Sequence, residues 1–441
     1  VKGRLRRAVS PAVDIVLNSG SMVATTAVTS ALGVAYWWVA THEFPPSTVG
    51  LAGALISAMT LLGVVSTVGF GTALIPELAG DRTAARAGLV LGALASVTVV
   101  GACVGAVWQV VVPLVRPELA LPRPGPGTVV LFACGVSLTA LTLVLDQVLI
   151  GLLAGGLQLV RNAAFAIAKL AVLVGAGALL GHGDARTIYA TWTVGQVASL
   201  AVLGILVVRQ GRPGGVSIVR PRMPRALRGA AAVHHLFNLA LAVPSWILPM
   251  IATVLVSATA NAYFYSAWTL ATFVFVGALA LTTVLYAVAA QPLRDVRRAL
   301  RLSLVLSLVW ALGSAGGCAL VGTRALGFFG HAYADQGGPI LLALALSAFP
   351  QVAKLHYVAL VRIRGRFRRG IPLVTAGGLL ELALAGFGAA HGGVLGLAIG
   401  YLVANCAEAL VFLPEIVRAV TGSRAGGHQA VHPPSASWQR P

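Results

Sequence analysis

The sequence predicts an all-α, polytopic membrane protein with about twelve transmembrane helices in two six-helix lobes. Three observations lead there. Apolar stretches long enough to cross a bilayer recur from one end of the chain to the other. Charged residues make up 10% of the chain, against roughly 25% in a soluble globular domain. The basic residues fall mostly in every second gap between the apolar stretches. A chain that is 58% hydrophobic, with a mean hydropathy of +0.90, cannot cover itself with a solvated surface.

The spans fall at about 13–40, 48–75, 88–112, 128–153, 158–180, 188–208, 230–256, 261–290, 302–322, 338–361, 371–390 and 393–417. Residues Val1 to Arg7 are basic, and the apolar run after them is too long for a signal-peptide core. No small-residue cleavage site ends that run, so the first span is expected to stay in the membrane.

Orientation follows from Lys and Arg. With the N-terminus inside, the inner segments carry Lys2, Arg4, Arg6, Arg7, Arg82 and Arg86. Six arginines follow in 209–228, four in 291–301 and five in 362–369. The outer segments carry only Arg116, Arg123, Arg186 and Arg324. Both termini are therefore expected in the cytoplasm. The net charge of +19 is accounted for by this bias, without a nucleic-acid partner. Arg outnumbers Lys 28 to 3, a usage that fits a GC-rich bacterial genome and hence a bacterial inner membrane as the expected location.

The Arg-, Pro- and Gly-rich segment 209–229 reads as a cytoplasmic linker between an N-terminal lobe, 1–208, and a C-terminal lobe, 230–420. Residues 421–441 read as a disordered tail. The halves resemble a repeat. Each first helix carries an Asn near its start, Asn18 and Asn238. Each fourth helix carries a charge near its inner end, Asp146 and Lys354. Each fifth helix carries one near its middle, Lys169 and Glu381. Six helices return the chain to its starting side, so the halves share one orientation.

An ionisable residue deep in a span is costly and faces a partner or a hydrated cavity. Six stand out: Asp146, Arg161, Lys169, Lys354, Glu381 and Glu408. Lys169 lies about 16 Å into its helix, near the bilayer centre. Lys169, Arg161 and Lys354 are candidates for an anionic substrate. Asp146, Glu381 and Glu408 are candidates for a coupling ion or for charge balance. Internal ion pairs that lock helices together are the alternative for all six. The first helix has a polar run, Asn18, Ser19, Ser21, Thr25, Thr26, Thr29 and Ser30, which lines a cavity or joins helices. Pro244 and Pro249 are expected to bend the seventh helix, as a hinge or a static kink. His234 and His235, and the pair Trp37 and Trp38, suit the headgroup interface. Cys103, Cys134, Cys318 and Cys406 show no metal-ligand spacing and read as small packing residues. No metal site and no cofactor is expected. The chain lacks a P-loop, a nucleophile elbow and an HExxH motif.

The opening segment VLNSGSMVATTAVTSALGVAYWWVATHEFPPSTVGLAGALISAMTLLGVVSTVGFGTALIPEL resembles the start of bacterial polysaccharide-export flippases. These belong to the superfamily that also holds the multidrug and toxin extrusion transporters. LDQVLIGLLAGGLQLVRNAAFAIAKLAVL, residues 145 to 173, is similar to their fourth-to-fifth helix hairpin. LPMIATVLVSATANAYFYSAWTLA, residues 248 to 271, is similar to their seventh-to-eighth helix region. The resemblance implies two lobes around a cavity open alternately to each side. It also implies transport of a polyprenyl-diphosphate-linked oligosaccharide, with Lys169, Arg161 and Lys354 placed to meet the diphosphate. Membrane lipids, and glycosyltransferases and a polymerase of one pathway, are the partners implied. Three other readings stay open. One is a cation-coupled exporter of small amphipathic drugs, which needs a carboxylate- and aromatic-lined cavity. Another is a membrane-embedded glycosyltransferase, for which only Asp14 and Glu43 offer a catalytic carboxylate. The third is a non-transporting scaffold in a polysaccharide assembly complex, in which no cavity charge matters.

Overall fold

The computed structural model describes residues 28–70, 74, 78, 83–152, 154–180, 183–209, 225–289 and 295–421. Most of the expected linker, the tail beyond Thr421, Asp14 and the polar run from Asn18 to Thr26 lie outside the described residues.

The described residues are helical almost throughout. A helix over 28–43 (α1) is followed by Pro46–Ser66 (α2), Thr83–Val115 (α3), Pro126–Gly151 (α4), Gly155–Leu180 (α5) and Ala185–Arg209 (α6). Then come Arg225–Leu255 (α7), Ala258–Ala289 (α8), Val296–Gly327 (α9), His331–Leu346 (α10), Ala348–Ile363 (α11) and Phe367–Thr421 (α12). Nine of these helices are long and apolar enough to cross a membrane. The pair α10 and α11 passes the same test together, as one broken span. The chain thus has the all-helical, multi-pass architecture expected from its sequence.

Compactness divides the chain into two units, Val1–His235 and Leu236–Pro441, with the division inside α7. In the first unit α2 is the inner helix, packed on α3, α4 and α6, while α5 packs on α6. In the second, α8 packs on α9, α10 and α11, and α12 packs on α10 and α11. The peripheral helices present apolar side chains outward. On α9, Leu302, Val305, Val309, Leu312 and Leu320 are all exposed, an area that only lipid accommodates. Cys103, Cys134 and Cys406 are also exposed, so they face outward instead of packing inside as expected. Of the expected interfacial pair, Trp38 is exposed against His42, and Trp37 is buried beside Tyr36.

Two breaks shape the second unit. The expected tenth span bends by 40° where α10 meets α11. Ser347 sits at the corner, and its hydroxyl donates to the Ala343 carbonyl at 3.1 Å, a bond that favours bending. Pro350, one turn on, has no N–H to continue the ladder. By contrast α7 stays helical through Pro244 and Pro249, and the Thr253 hydroxyl donates to the Pro249 carbonyl at 3.0 Å.

The second break lies in α12, at Gly392 and Gly393, where the expected eleventh and twelfth spans meet. Gly393 has φ 59° and ψ −151°, a backbone that side chains with a Cβ rarely adopt. The two limbs fold back on each other through glycine. A Cβ on Gly388 would collide with the Gly396 carbonyl, and one on Gly400 with the Leu384 carbonyl. Such backbone approach is how small residues join helices in lipid, where no hydrophobic force separates helix from tail.

Gly396→Val should therefore open the α12 hairpin and lower stability by about 1–3 kcal/mol or more. Gly175→Ala, at a site with open space around it, should not. Thermal unfolding in detergent, read beside the size-exclusion profile, checks both.

Candidate functional site

Five of the six ionisable residues singled out from the sequence are gathered into two ion clusters, one in each unit. The sixth, Lys169, stands apart.

In the first unit, α4 brings Asp146 to face Arg161 on α5. Arg161 Nε donates to Asp146 Oδ1 at 3.0 Å, and Nη2 donates to Oδ2 at 2.6 Å. This two-pronged fork is the strongest geometry open to the pair. Arg161 Nη2 also donates to Asn162 Oδ1 at 2.9 Å, and Asn162 is itself tied to the Gln158 carbonyl at 3.0 Å. The guanidinium is buried and its charge is cancelled within the unit.

In the second unit, Lys354 on α11 meets two carboxylates of α12, Glu381 and Glu408. Its Nζ lies 2.8 Å from Glu381 Oε1 and 3.1 Å from Glu408 Oε2. All three side chains are buried. The α12 hairpin makes this possible, because it carries Glu381 on one limb and Glu408 on the other. Gly377, one turn before Glu381, leaves room for the Glu408 carboxyl: a Cβ there would come within 2.6 Å of its Cδ. With both carboxylates ionised the cluster carries one net negative charge.

Lys169 is buried near the middle of α5 and has no hydrogen-bond or ion-pair partner among the described residues. Three aromatic rings box it in. Its Nζ lies 3.9 Å from the ring centre of Trp192 on α6, 4.7 Å from that of Tyr36 on α1 and 4.8 Å from that of Phe165, one turn back on α5. Tyr36 is fixed by its hydroxyl, which donates to the Ile188 carbonyl at 3.2 Å and lies 2.7 Å from Thr191 Oγ1. Gly195 lets α6 close onto the lysine stem, since a Cβ there would sit 2.9 Å from Lys169 Cβ. A desolvated cation–π contact is worth about 2 kcal/mol, so the rings offset part of the several kcal/mol it costs to bury an ammonium. They carry no net charge, however, and no carboxylate among the described residues stands against the lysine. Trp192 Nε1 and, one turn on, Gln196 Oε1 are buried without hydrogen-bond partners among the described residues.

The second unit also encloses a cavity of about 560 Å3. Lys354 and Glu381 reach its wall, with Gln351, Tyr401, Trp268 and Arg362. Pro244 is elsewhere: a Cβ on Gly378 would lie 2.9 Å from its ring. The three cations singled out together from the sequence differ in their partners. Arg161 is bound to Asp146, Lys354 is bound to two carboxylates, and Lys169 sits in its aromatic box. No group of His, Cys, Asp and Glu that could hold a metal occurs among the described residues. The aromatic box and Arg362 were not picked out from the sequence. Phe165 and Lys169 share a face at four-residue spacing, but Tyr36 and Trp192 come from distant helices. Arg362 was counted only as a loop charge.

No protein-family model matches the chain, and no curated protein does. Solved structures do. An inward-facing multidrug-resistance MATE family transporter of the MOP superfamily aligns with 91% of this chain and 96% of its own, at TM-score 0.67 and 15% identity. An outward-facing one aligns with 93% and 96%, at TM-score 0.63 and 15% identity. So does a MOP superfamily transporter from Pyrococcus furiosus, at TM-score 0.63 and 15% identity. That protein was described as having a binding pocket of reverse polarity, suggesting a different function. The chain therefore has the MATE transporter fold over nearly its whole length.

Lys354→Ala would strand two buried carboxylates, and stability should fall by about 3–5 kcal/mol. The triple change Lys354→Met, Glu381→Met, Glu408→Gln should recover most of that loss, because an apolar filling often equals a buried ion cluster. Denaturant unfolding in mixed micelles reads both. A single-variant loss below about 1 kcal/mol would mean that the cluster is not buried and ionised.

Proposed function

We propose that the chain is a membrane transporter. Its substrate is a polyprenyl-diphosphate-linked oligosaccharide or polysaccharide precursor, moved from the inner to the outer leaflet by alternating access. The fold is shared with transporters described in both inward-facing and outward-facing conformations, which supports the alternating cycle. The resemblance of the opening helices and of residues 145 to 173 to polysaccharide-export flippases supports the substrate class.

The observation that carries this reading is Lys169. A protein that needed only rigidity would have neutralised this charge, as it neutralised Arg161 with Asp146. Among the described residues Lys169 has no such carboxylate, and its Nζ is surrounded by three rings instead. An anionic headgroup supplies the missing counter-charge transiently and leaves the site again.

A second reading, export of small amphipathic cations, rests on a different observation. The cluster sets two carboxylates, Glu381 and Glu408, against the one lysine Lys354, and Glu381 reaches a cavity lined by Trp268 and Phe275. The two readings diverge at Lys169, because a cation exporter gains nothing from that charge. No described geometry favours the glycosyltransferase reading: Glu43 lies against α5, within 3.0 Å of a Cβ built on Gly177.

Purified protein in sealed vesicles should move a fluorescent diphosphate-linked sugar lipid across the bilayer. Lys169→Met should slow that movement at least tenfold, Lys169→Arg much less, with both variants folded. A protein that moves no sugar lipid, or a Lys169→Met variant with unchanged rate, would overturn the reading. Movement of a cationic dye, lost in Glu381→Gln and kept in Lys169→Met, would favour the second.

A further inference from the structure

The cavity of the second unit is polarised along α11. Lys354, Val358 and Arg362 recur every fourth residue, so they share one helix face, and all three line the cavity. Eight residues of α-helix place the two cations about 12 Å apart. Their electrostatic states differ. Lys354 is held by two carboxylates at 2.8 and 3.1 Å and has no charge to offer. Arg362 has no carboxylate partner among the described residues. Its Nη2 donates to Asn238 Oδ1 at 2.9 Å, and its guanidinium lies 5.7 Å from the Phe237 ring centre. Its neighbours Arg364 and Arg366 are both engaged by Glu415, at 2.9 and 3.4 Å. An amide orients a guanidinium without neutralising it, so two or more of its N–H groups remain for an anion.

The other end of the cavity is built for hydroxyl groups. Gln351 Nε2 donates to Tyr401 Oη at 2.7 Å, and Glu381 stands beside them. The Trp268 ring meets Tyr401 edge-on at 5.6 Å and forms a flat wall. Apolar residues Leu241, Leu279 and Leu355 lie along the path between the two ends. At about 560 Å3 the space falls within the roughly 300–1,000 Å3 of pockets that hold small molecules.

We infer that this cavity is a headgroup site for an anionic glycolipid. A phosphate or diphosphate seats on Arg362, with Asn238 setting the plane of the guanidinium. The attached sugar lies along α11 against Trp268, with its hydroxyls toward Gln351, Tyr401 and Glu381. This assignment rests on the transport reading for the nature of the lipid. Its lining residues all belong to the second unit, whereas the Lys169 box is built from the first.

Titration calorimetry in detergent tests it with four probes: farnesyl-diphosphate-linked N-acetylglucosamine, farnesyl diphosphate, dioctanoyl phosphatidylglycerol and octyl glucoside. The first should bind tightest. Arg362→Ala should weaken both diphosphate probes at least tenfold, the scale of one lost charge-assisted hydrogen bond. Arg362→Lys should weaken them less, since it keeps the charge and loses the fork. Should Arg362→Ala fail to fold, Asn238→Ala, expected to weaken both several-fold, carries the same test. Gln351→Leu should weaken only the probe that carries sugar. Unchanged diphosphate affinity in the folded Arg362 and Asn238 variants overturns the site. Phosphatidylglycerol binding as tightly as the sugar probe, with the same dependence on Arg362, overturns the glycolipid assignment in favour of a phospholipid. Vesicle transport separates this inference from the one it rests on. Wild-type protein that moves the sugar lipid while Arg362→Ala binds it normally refutes the site alone. Wild-type protein that binds the probe through Arg362 and moves nothing refutes the transport reading alone.

Discussion

A charge buried inside a membrane-spanning unit has to be answered by that unit's own side chains. In hydrocarbon there is no water to solvate it and no counter-ion to screen it. This constraint governs where helices may sit. Lys354 on α11 is answered by Glu381, and α12 turns at Gly392 and Gly393 and returns with a second carboxylate, Glu408, that shares the same lysine. The turn in turn depends on backbone approach at Gly388, Gly396 and Gly400, where any side chain would hold the limbs apart. The glycines and the charges are therefore one device. Without close limbs Glu408 would not reach Lys354, and without Lys354 two carboxylates would repel each other across the hairpin.

The two units solve this problem with opposite polarity. In the first, the fourth-helix charge is an acid, Asp146, and the fifth helix answers with Arg161. In the second, the fourth span supplies the base, Lys354, and the fifth answers with Glu381. The groups left over also differ in kind. Among the described residues Lys169 of the first unit has no carboxylate beside it, and the second unit sets two carboxylates against one lysine. A protein optimised only for rigidity has no reason to leave either residue. Charges left over at depth, of both signs, are the kind of feature a transport cycle can use, because a ligand or proton can complete and then release them.

Much of this was legible in the sequence because depth in a membrane is a one-dimensional property. Apolar length gives the spans, and Lys169, Lys354 and Glu381 announce themselves by being charged within them. The break at Gly392 and Gly393 fell where two spans had been separated. What the sequence does not show is azimuth. A helix that is apolar all round carries no periodicity to say which face meets which neighbour. Hence the partners of the six charges were open, and the pairing of Arg161 with Asp146 and of Lys354 with two carboxylates had to come from the structure. The aromatic box was hidden for the same reason. Tyr36, Phe165 and Trp192 are separated by long stretches of chain, and aromatic residues in apolar helices draw no notice. Cys318 packs against a buried cluster as expected, whereas Cys103, Cys134 and Cys406 are exposed, because small apolar residues suit either a helix contact or an outer face.

Arg362 shows a further way in which such a reading loses information. Arginines at the ends of spans are counted together as a topological signal, and that count treats Arg362, Arg364, Arg366, Arg368 and Arg369 as equivalent. In the structure they are not. Arg364 and Arg366 share Glu415 near the helix ends, where exposed ion pairs contribute little, and their role is largely met by the headgroup region. Arg362 is on the last turn of α11, on the face that Lys354 occupies, and lines the cavity with its Nη2 donating to Asn238. Arg364 and Arg366 lie beyond the end of that helix, at Ile363, where Gly365 takes φ 63° and turns the chain away. The distinction between these arginines lies in which of them the helix still carries.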